Sequence, residues 1–420
     1  MSMPDTPRTK AWFVPIGILL TVLSVACTPQ APEASRPTTW VATWGAAPST
    51  PGRFGGGPEP QEMDFADRTL RQVVHVSVGG DSVRIRLSNR DGSVPLEVGA
   101  VHVAARTEES GIDPATDRAL TFGGRPGITI PMGAVALSDP VGIQVEPLSD
   151  LAISVYFPSA TGSPTSHGTA SQTNYYSAGN HVADASISEA ETTRSWFFLT
   201  RVDVWPTEPT GVVVTLGNSI TDGTLSTADT NNRWPDHLAQ RLAARDSGTL
   251  AVVNSGISGN RVLNDLPGFG IDALSRLEDD VFSVAGATHL VVMEGINDIG
   301  MAGTLAPESE IVSADDIIAG HLQIIARAHA RGLRVYGATL TPFEDAFYYS
   351  PEREEKRQAV NEWIRSSGAY DAVIDFDAVT RDPANPEHFL PGFSEDNLHP
   401  NDGGYGTMAE AVDLSLFDLE

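Results

Sequence analysis

Two patterns of apolar and polar positions divide this chain. Between about residues 39 and 206, apolar and polar residues alternate in short runs. In Val83-Arg84-Ile85-Arg86-Leu87 the apolar side chains fall on one side and the arginines on the other, because successive side chains of a strand point to opposite faces. Leu151-Ala152-Ile153-Ser154-Val155-Tyr156-Phe157 follows the same period. Turn-forming clusters such as GGDS (79–82) and NRDG (89–92) separate the runs, and helical periodicity is hard to find. This pattern predicts an all-β sandwich, of jelly-roll type. From about residue 211 the pattern changes. Apolar, β-branched runs at 212–216, 250–253, 289–293, 334–340 and 372–376 alternate with helical segments at Trp234 to Ala244, Asp315 to Arg331 and Glu352 to Ser366. Such alternation predicts an α/β domain, a parallel sheet covered by helices on both faces. Trp205-Pro206 and the Thr-Glu-Pro-Thr after them mark the boundary, giving expected domains of 39–206 and 207–420. No internal repeat is present.

The first 38 residues follow neither pattern. Arg8 and Lys10 precede a mostly apolar run, Ala11 to Leu23, too short for a comfortable membrane span. Ser24-Val25-Ala26 then offers small residues to a secretory peptidase, so residues 1–26 read as a signal peptide. Cys27 is the sole cysteine and cannot form an internal disulfide. Its position after L-S-V-A resembles a bacterial lipoprotein signal, although Ser24 stands where leucine is usual. The expectation is an exported protein, periplasmic, extracellular or surface-held through a lipid on Cys27. Simple secretion is the alternative. Residues 27–38, rich in Pro, Ala, Ser and Thr, then serve as a tether.

The formal net charge of −27 disfavours nucleic acid and anionic lipid heads as partners, since both require a basic surface. No H-E-x-x-H or C-x-x-C supports a zinc site, no P-loop or G-x-G-x-x-G precedes a helix, and no G-x-S-x-G elbow occurs. No cofactor or metal is therefore expected.

The candidate chemistry lies where the expected strands end. Val212 to Leu216 runs into Gly217, where glycine permits a sharp turn, and then into Asn218 and Ser219. Read alone, Ser219 is equally a helix N-cap. NSGISGN (254–260) follows the second run, EGIND (294–298) the third, and DNLHPND (396–402) the fifth. Parallel strands would bring all four clusters to one edge, where open α/β sheets perform chemistry. These blocks, in this order from Gly217 to His399, resemble the SGNH (GDSL-type) hydrolases, a family of esterases, lipases, thioesterases and carbohydrate deacetylases. The resemblance implies a flavodoxin-like five-stranded order. It also implies Ser219 as nucleophile, Asp396 and His399 as the other triad members, and Gly259 and Asn297 as oxyanion-hole donors beside the Ser219 N–H. Gly256 competes with Gly259 for that role. The first block departs from the family in reading Gly-Asn-Ser where Gly-Asp-Ser is usual. Asn218 keeps hydrogen-bonding capacity but loses the charge. Asp298 reads as a turn residue, and Asp402 as the N-cap of a last helix beginning near Gly403.

A hydroxyl needs an adjacent base, and imidazole titrates near neutrality. An Asp three residues before that His can orient it from one side of a tight turn. The expected activity is thus hydrolysis of short-chain, acetyl-type esters, on a small ester or an acylated extracellular carbohydrate. The alternatives are a lipase, arylesterase or thioesterase with a longer acyl pocket, an acyltransferase, and a non-catalytic glycan-binding surface lipoprotein. Phe269, Met293, Phe343, Phe347, Tyr348 and Tyr349 could line an acyl pocket. Trp40, Trp44, Tyr175, Tyr176 and Trp196 could stack on sugars, although core packing is the commoner use of each.

Overall fold

Among the described residues, the alternating region folds mainly as two antiparallel sheets, with two further two-stranded pairs. One pairs Val41–Gly45, Leu199–Trp205, Gly80–Ser88 and Val135–Leu137 in that order, with Val141–Val145 also on Gly80–Ser88. The other runs Glu191–Thr193, Asn174–Ala178, Arg68–His75, Asp150–Phe157, Ala100–Ala105, Arg118–Leu120. Val83, Ile85 and Leu87 of the first sheet join Leu70, Val74, Leu151, Ile153 and Val155 of the second in one buried cluster. The computed structural model describes residues 1–2, 10, 39–49, 63–208, 210–245 and 250–418. The expected signal peptide and tether, and the lipid site at Cys27, lie outside the described residues. Among the described residues, no helix is long and apolar enough to cross a membrane.

Asp150–Phe157 departs from the two-faced reading. Ala152 and Ser154, on its supposed solvent face, are also buried. The strand is central in its sheet, and loops around residues 110 and 181–184 cover its outer face. Arg71 anchors them: its buried guanidinium donates to Ser154 Oγ (2.8 Å) and to the carbonyls of Ser110 (2.6 Å) and Asp184 (2.8 Å). A strand covered on both faces has no reason to alternate.

The second region is a five-stranded parallel sheet in the order Leu250–Gly256, Gly211–Gly217, Ala287–Met293, Arg334–Ala338, Ala372–Ile374. By chain position this is the order 2-1-3-4-5 of the flavodoxin type. Helices Trp234–Ala243, Ala314–His329 and Pro351–Ser366 lie within two residues of their expected bounds. Local chemistry accounts for their starts. Ser313 caps the second helix and exchanges hydrogen bonds with Asp316, and Ser350 caps the third just before Pro351. The fifth strand ends earlier than expected, because Asp375 caps a short helix, Phe376–Thr380. The last helix is Asp402–Glu410, and Asn401, not Asp402, is its cap. Asp402 instead accepts from Thr227 N (2.8 Å) and Asn232 Nδ2 (3.0 Å).

The β-rich region and the parallel sheet share one hydrophobic cluster containing Val41, Ala42 and Trp44 together with Val212, Val214, Ala251 and Val253. Polar links reinforce it. Ala42 N donates to Ala285 O (2.9 Å), Val252 N to Ser77 Oγ (3.1 Å) and Arg201 Nη1 to Ser283 O (2.7 Å).

Candidate active site

The strand Gly211–Gly217 is sheathed by neighbours on both edges, so every residue in it is buried and apolar ones dominate. Gly217 does not occupy a left-handed conformation, contrary to the expectation of a special turn angle. A Cβ there would overlap the Thr221 side chain of the helix that follows, so the demand is for close approach. That helix, Ser219–Asp222, is capped by Asn218, whose Oδ1 accepts from Ile220 N (3.0 Å). With the cap supplied by its neighbour, the Ser219 hydroxyl is free for other work.

It meets His399: Ser219 Oγ and His399 Nε2 are 2.8 Å apart. His399 Nδ1 lies 2.7 Å from Asp396 Oδ2. The intervening turn is held by Asp396 Oδ1, which accepts from the backbone N–H of Leu398 (3.0 Å) and His399 (2.8 Å), while Asn397 takes a left-handed φ of 61°. Partial burial works against the Asp396 charge. The imidazole and those two N–H groups overcome it and hold the carboxyl far below its usual range. His399 Nδ1 therefore donates to the carboxylate, and its Nε2 is left facing the serine hydroxyl.

The donor side forms from two other strand ends. Gly259 has a φ of 79°, and a Cβ on it would overlap the Phe269 ring. Among the described residues, no protein acceptor takes the backbone N–H of Ser219 or of Gly259. Gly256 has a different role: it is the last residue of its strand, and a Cβ there would overlap the Asp222 backbone. Asn297 is buried in the short helix Ile296–Gly300. Its Nδ2 donates to Asn260 O (3.0 Å), leaving one N–H, and its Oδ1 accepts from the Tyr348 hydroxyl (3.3 Å). Asp298 is a clamp, accepting from Val262 N (2.8 Å) and Leu263 N (3.1 Å).

Beneath the site lies a charged group that the sequence did not announce. Buried Arg276 donates to Gly217 O (3.0 Å), Ser255 O (2.7 Å) and Asn260 Oδ1 (2.8 Å), and pairs with Glu294 (3.4 Å) and Asp280 (3.3 Å). It thus ties three strand ends to the loop that carries Gly259. Burial pushes the Glu294 carboxyl up to about 8 despite Arg276. Glu294 and Asn260 stand within the quoted blocks, but their roles depend on Arg276, for which no sequence signal existed. Among the described residues, no group of His, Cys, Asp and Glu is arranged to hold a metal.

The aromatic candidates divide. Phe343 and Tyr348 are buried, whereas Phe347 is 65% exposed and packs at a tilt on Tyr348 with ring centroids 4.4 Å apart. In the β-rich region Trp44 and Trp196 are buried against each other, Trp40 packs on Trp205, and Tyr176 packs on Phe65.

Residues 215–406 match the GDSL-like lipase/acylhydrolase family. Similar solved structures include an acetylxylan esterase from Geobacillus stearothermophilus, 22% identical, covering 50% of this chain and 95% of its own with a TM-score of 0.38. A GDSL-like lipase from Bacteroides thetaiotaomicron is 19% identical, covering 49% and 87% with a TM-score of 0.37. No curated protein matches the chain. Residues 215–406 thus carry a GDSL-like lipase/acylhydrolase domain, and the chain is a carboxylic ester hydrolase.

Proposed function

We propose that the protein is a serine esterase for short-chain, acetyl-type carboxylic esters, working through an acyl-enzyme on Ser219. The observation that carries this reading is the continuous line from Asp396 Oδ2 through His399 to Ser219 Oγ, with hydrogen-bond lengths of 2.7 and 2.8 Å. His399 Nε2 takes the serine proton as Oγ bonds to the ester carbonyl carbon, and Asp396 stabilises the imidazolium. The carbonyl oxygen becomes an oxyanion facing the N–H groups of Ser219 and Gly259 and the free Asn297 N–H, each worth about 3 kcal/mol. On collapse the bond to the alcohol oxygen breaks and His399 returns the proton to it. Water, deprotonated by His399, then releases the acid and restores Ser219.

A small acyl group fits the closeness of the walls: Phe269 packs against Gly259, and Tyr348 against Gly300 and Asn297. Exposed Phe347, beside Tyr348, is an apolar face suited to an acylated sugar ring. The leader and Cys27 support export with a lipid anchor, which mass spectrometry of the mature N-terminus tests. Hydrolysis of nitrophenyl acetate, butyrate and octanoate, compared with Ser219→Ala, tests the activity. The expected result is turnover that declines with chain length and is lost in the variant. Equal or rising rates towards octanoate favour the lipase reading, and turnover that survives in Ser219→Ala overturns the mechanism.

A further inference from the structure

An acidic node lies where the helix bearing Ser219 meets the β-rich region. The Asp222 carboxylate is buried at the end of that helix and is approached on both oxygens. Oδ1 faces His167 Nε2 at 2.9 Å. Oδ2 accepts from Thr169 Oγ1 (2.5 Å), Ser258 N (2.9 Å) and Ser258 Oγ (2.6 Å). His167 and Thr169 belong to the β-rich region. Ser258 immediately precedes Gly259.

The protonation state follows from the partners. The second ring nitrogen of His167, Nδ1, is 2.7 Å from the Ala47 carbonyl, which can only accept. Both nitrogens thus face acceptors, and the ring is an imidazolium against a carboxylate. Burial opposes the charge on His167, but Asp222 and the Ala47 carbonyl outweigh it and raise its pKa. Arg233 lies nearby as well: it donates to Asp222 O (2.8 Å) and to the Ala170 carbonyl, and so tightens the same junction.

We propose that Asp222 is a positioning residue for the oxyanion hole, held in place by His167 and Thr169, so that the β-rich region forms part of the catalytic apparatus. The inference rests on the esterase reading above. The Ser258 N–H and hydroxyl, both drawn to Oδ2, set the turn that presents the next N–H, that of Gly259. One carboxylate therefore fixes the hole loop relative to the nucleophile's own helix. Without it the Ser258–Gly259 peptide is free to rotate, and the oxyanion loses a donor in the transition state but little in substrate binding.

The test is steady-state hydrolysis of nitrophenyl acetate by the full chain and by His167→Ala, Asp222→Ala, their double variant, Asp222→Asn and Thr169→Val. Thermal unfolding of each variant is followed in parallel. Asp222→Ala is expected to lower kcat by at least about tenfold with KM within about twofold. His167→Ala should lower kcat less, and the double variant should fall no further than Asp222→Ala, because both remove one linkage. Asp222→Asn should recover part of the loss: its amide oxygen still accepts from Ser258 while its NH₂ donates to a neutral His167. Thr169→Val is nearly isosteric at a part-exposed hydroxyl, so it reports even where larger changes unfold the chain, with kcat down about threefold. Unchanged kcat in the folded variants, losses confined to KM, or losses in the double variant that multiply would overturn the positioning role while leaving the esterase reading intact. A parent without Ser219-dependent turnover overturns both.

Discussion

Asn218 shows how one residue answers several demands. Its oxygen caps the nucleophile's helix, and its NH₂ faces Met293 O (3.3 Å) and Glu294 Oε2 (3.4 Å). An aspartate would cap equally well but would turn an acceptor-only carboxylate, in place of the NH₂, towards the Met293 carbonyl and Glu294. The departure from Gly-Asp-Ser is thus matched to a buried acid on the neighbouring strand end. Asn218→Asp should lower stability by about 2 kcal/mol, and adding Glu294→Gln, whose NH₂ donates to the new carboxylate, should restore part of it, as thermal unfolding of the cycle would record. Strictly additive effects would separate the two residues. Glu294 also carries a pH signature. Its folded pKa is raised to about 8 by burial, so the folded chain keeps a proton that the unfolded chain loses above about 4.3. Its contribution is fully present below that lower value and is lost as pH rises towards 8. Urea unfolding at pH 5 and pH 8 should show a smaller decline in Glu294→Gln than in the parent; equal declines would rule out this assignment.

Among the elements, continuous apolar runs located the parallel strands well, because a sheet covered on both faces leaves no polar positions to blur the signal. The same physics misled the reading of Asp150–Phe157, whose outer face is covered by loops that Arg71 secures. Short connections were harder to read. Capping passed to Asn218 and Asn401, one residue from the serine and aspartate that compete for those positions in sequence. Glycines were legible as punctuation but not by cause: Gly217 and Gly256 serve close approach, whereas Gly259 needs both its left-handed φ and the room beside Phe269. Gly259→Ala should therefore lower kcat by about tenfold to a hundredfold and also depress the unfolding midpoint. Retention of full kcat would assign the hole donor elsewhere.

For the whole molecule, the shared core makes the α/β region dependent on its N-terminal neighbour. A fragment beginning at Thr210 would expose the surface that Val41, Ala42 and Trp44 cover. It should be insoluble or show a loosened, early-melting fold by circular dichroism; a soluble fragment with full esterase activity would refute the dependence. The pairing of His167 with Asp222 belongs to this scale, since its partners are 55 residues apart and lie in different regions. What the sequence determined by itself was local and periodic: strand and helix order, the polar clusters at strand ends, and the turn that keeps Asp396 within reach of His399. These follow from short-range geometry, which repeats along the chain and can be read there. The path of the chain in space alone set which buried ionisable groups meet, namely Arg276 with Glu294 and Asp222 with His167. An isolated Arg, Glu or His reads as surface, and only the path of the chain brings its partner close enough for burial to be tolerated.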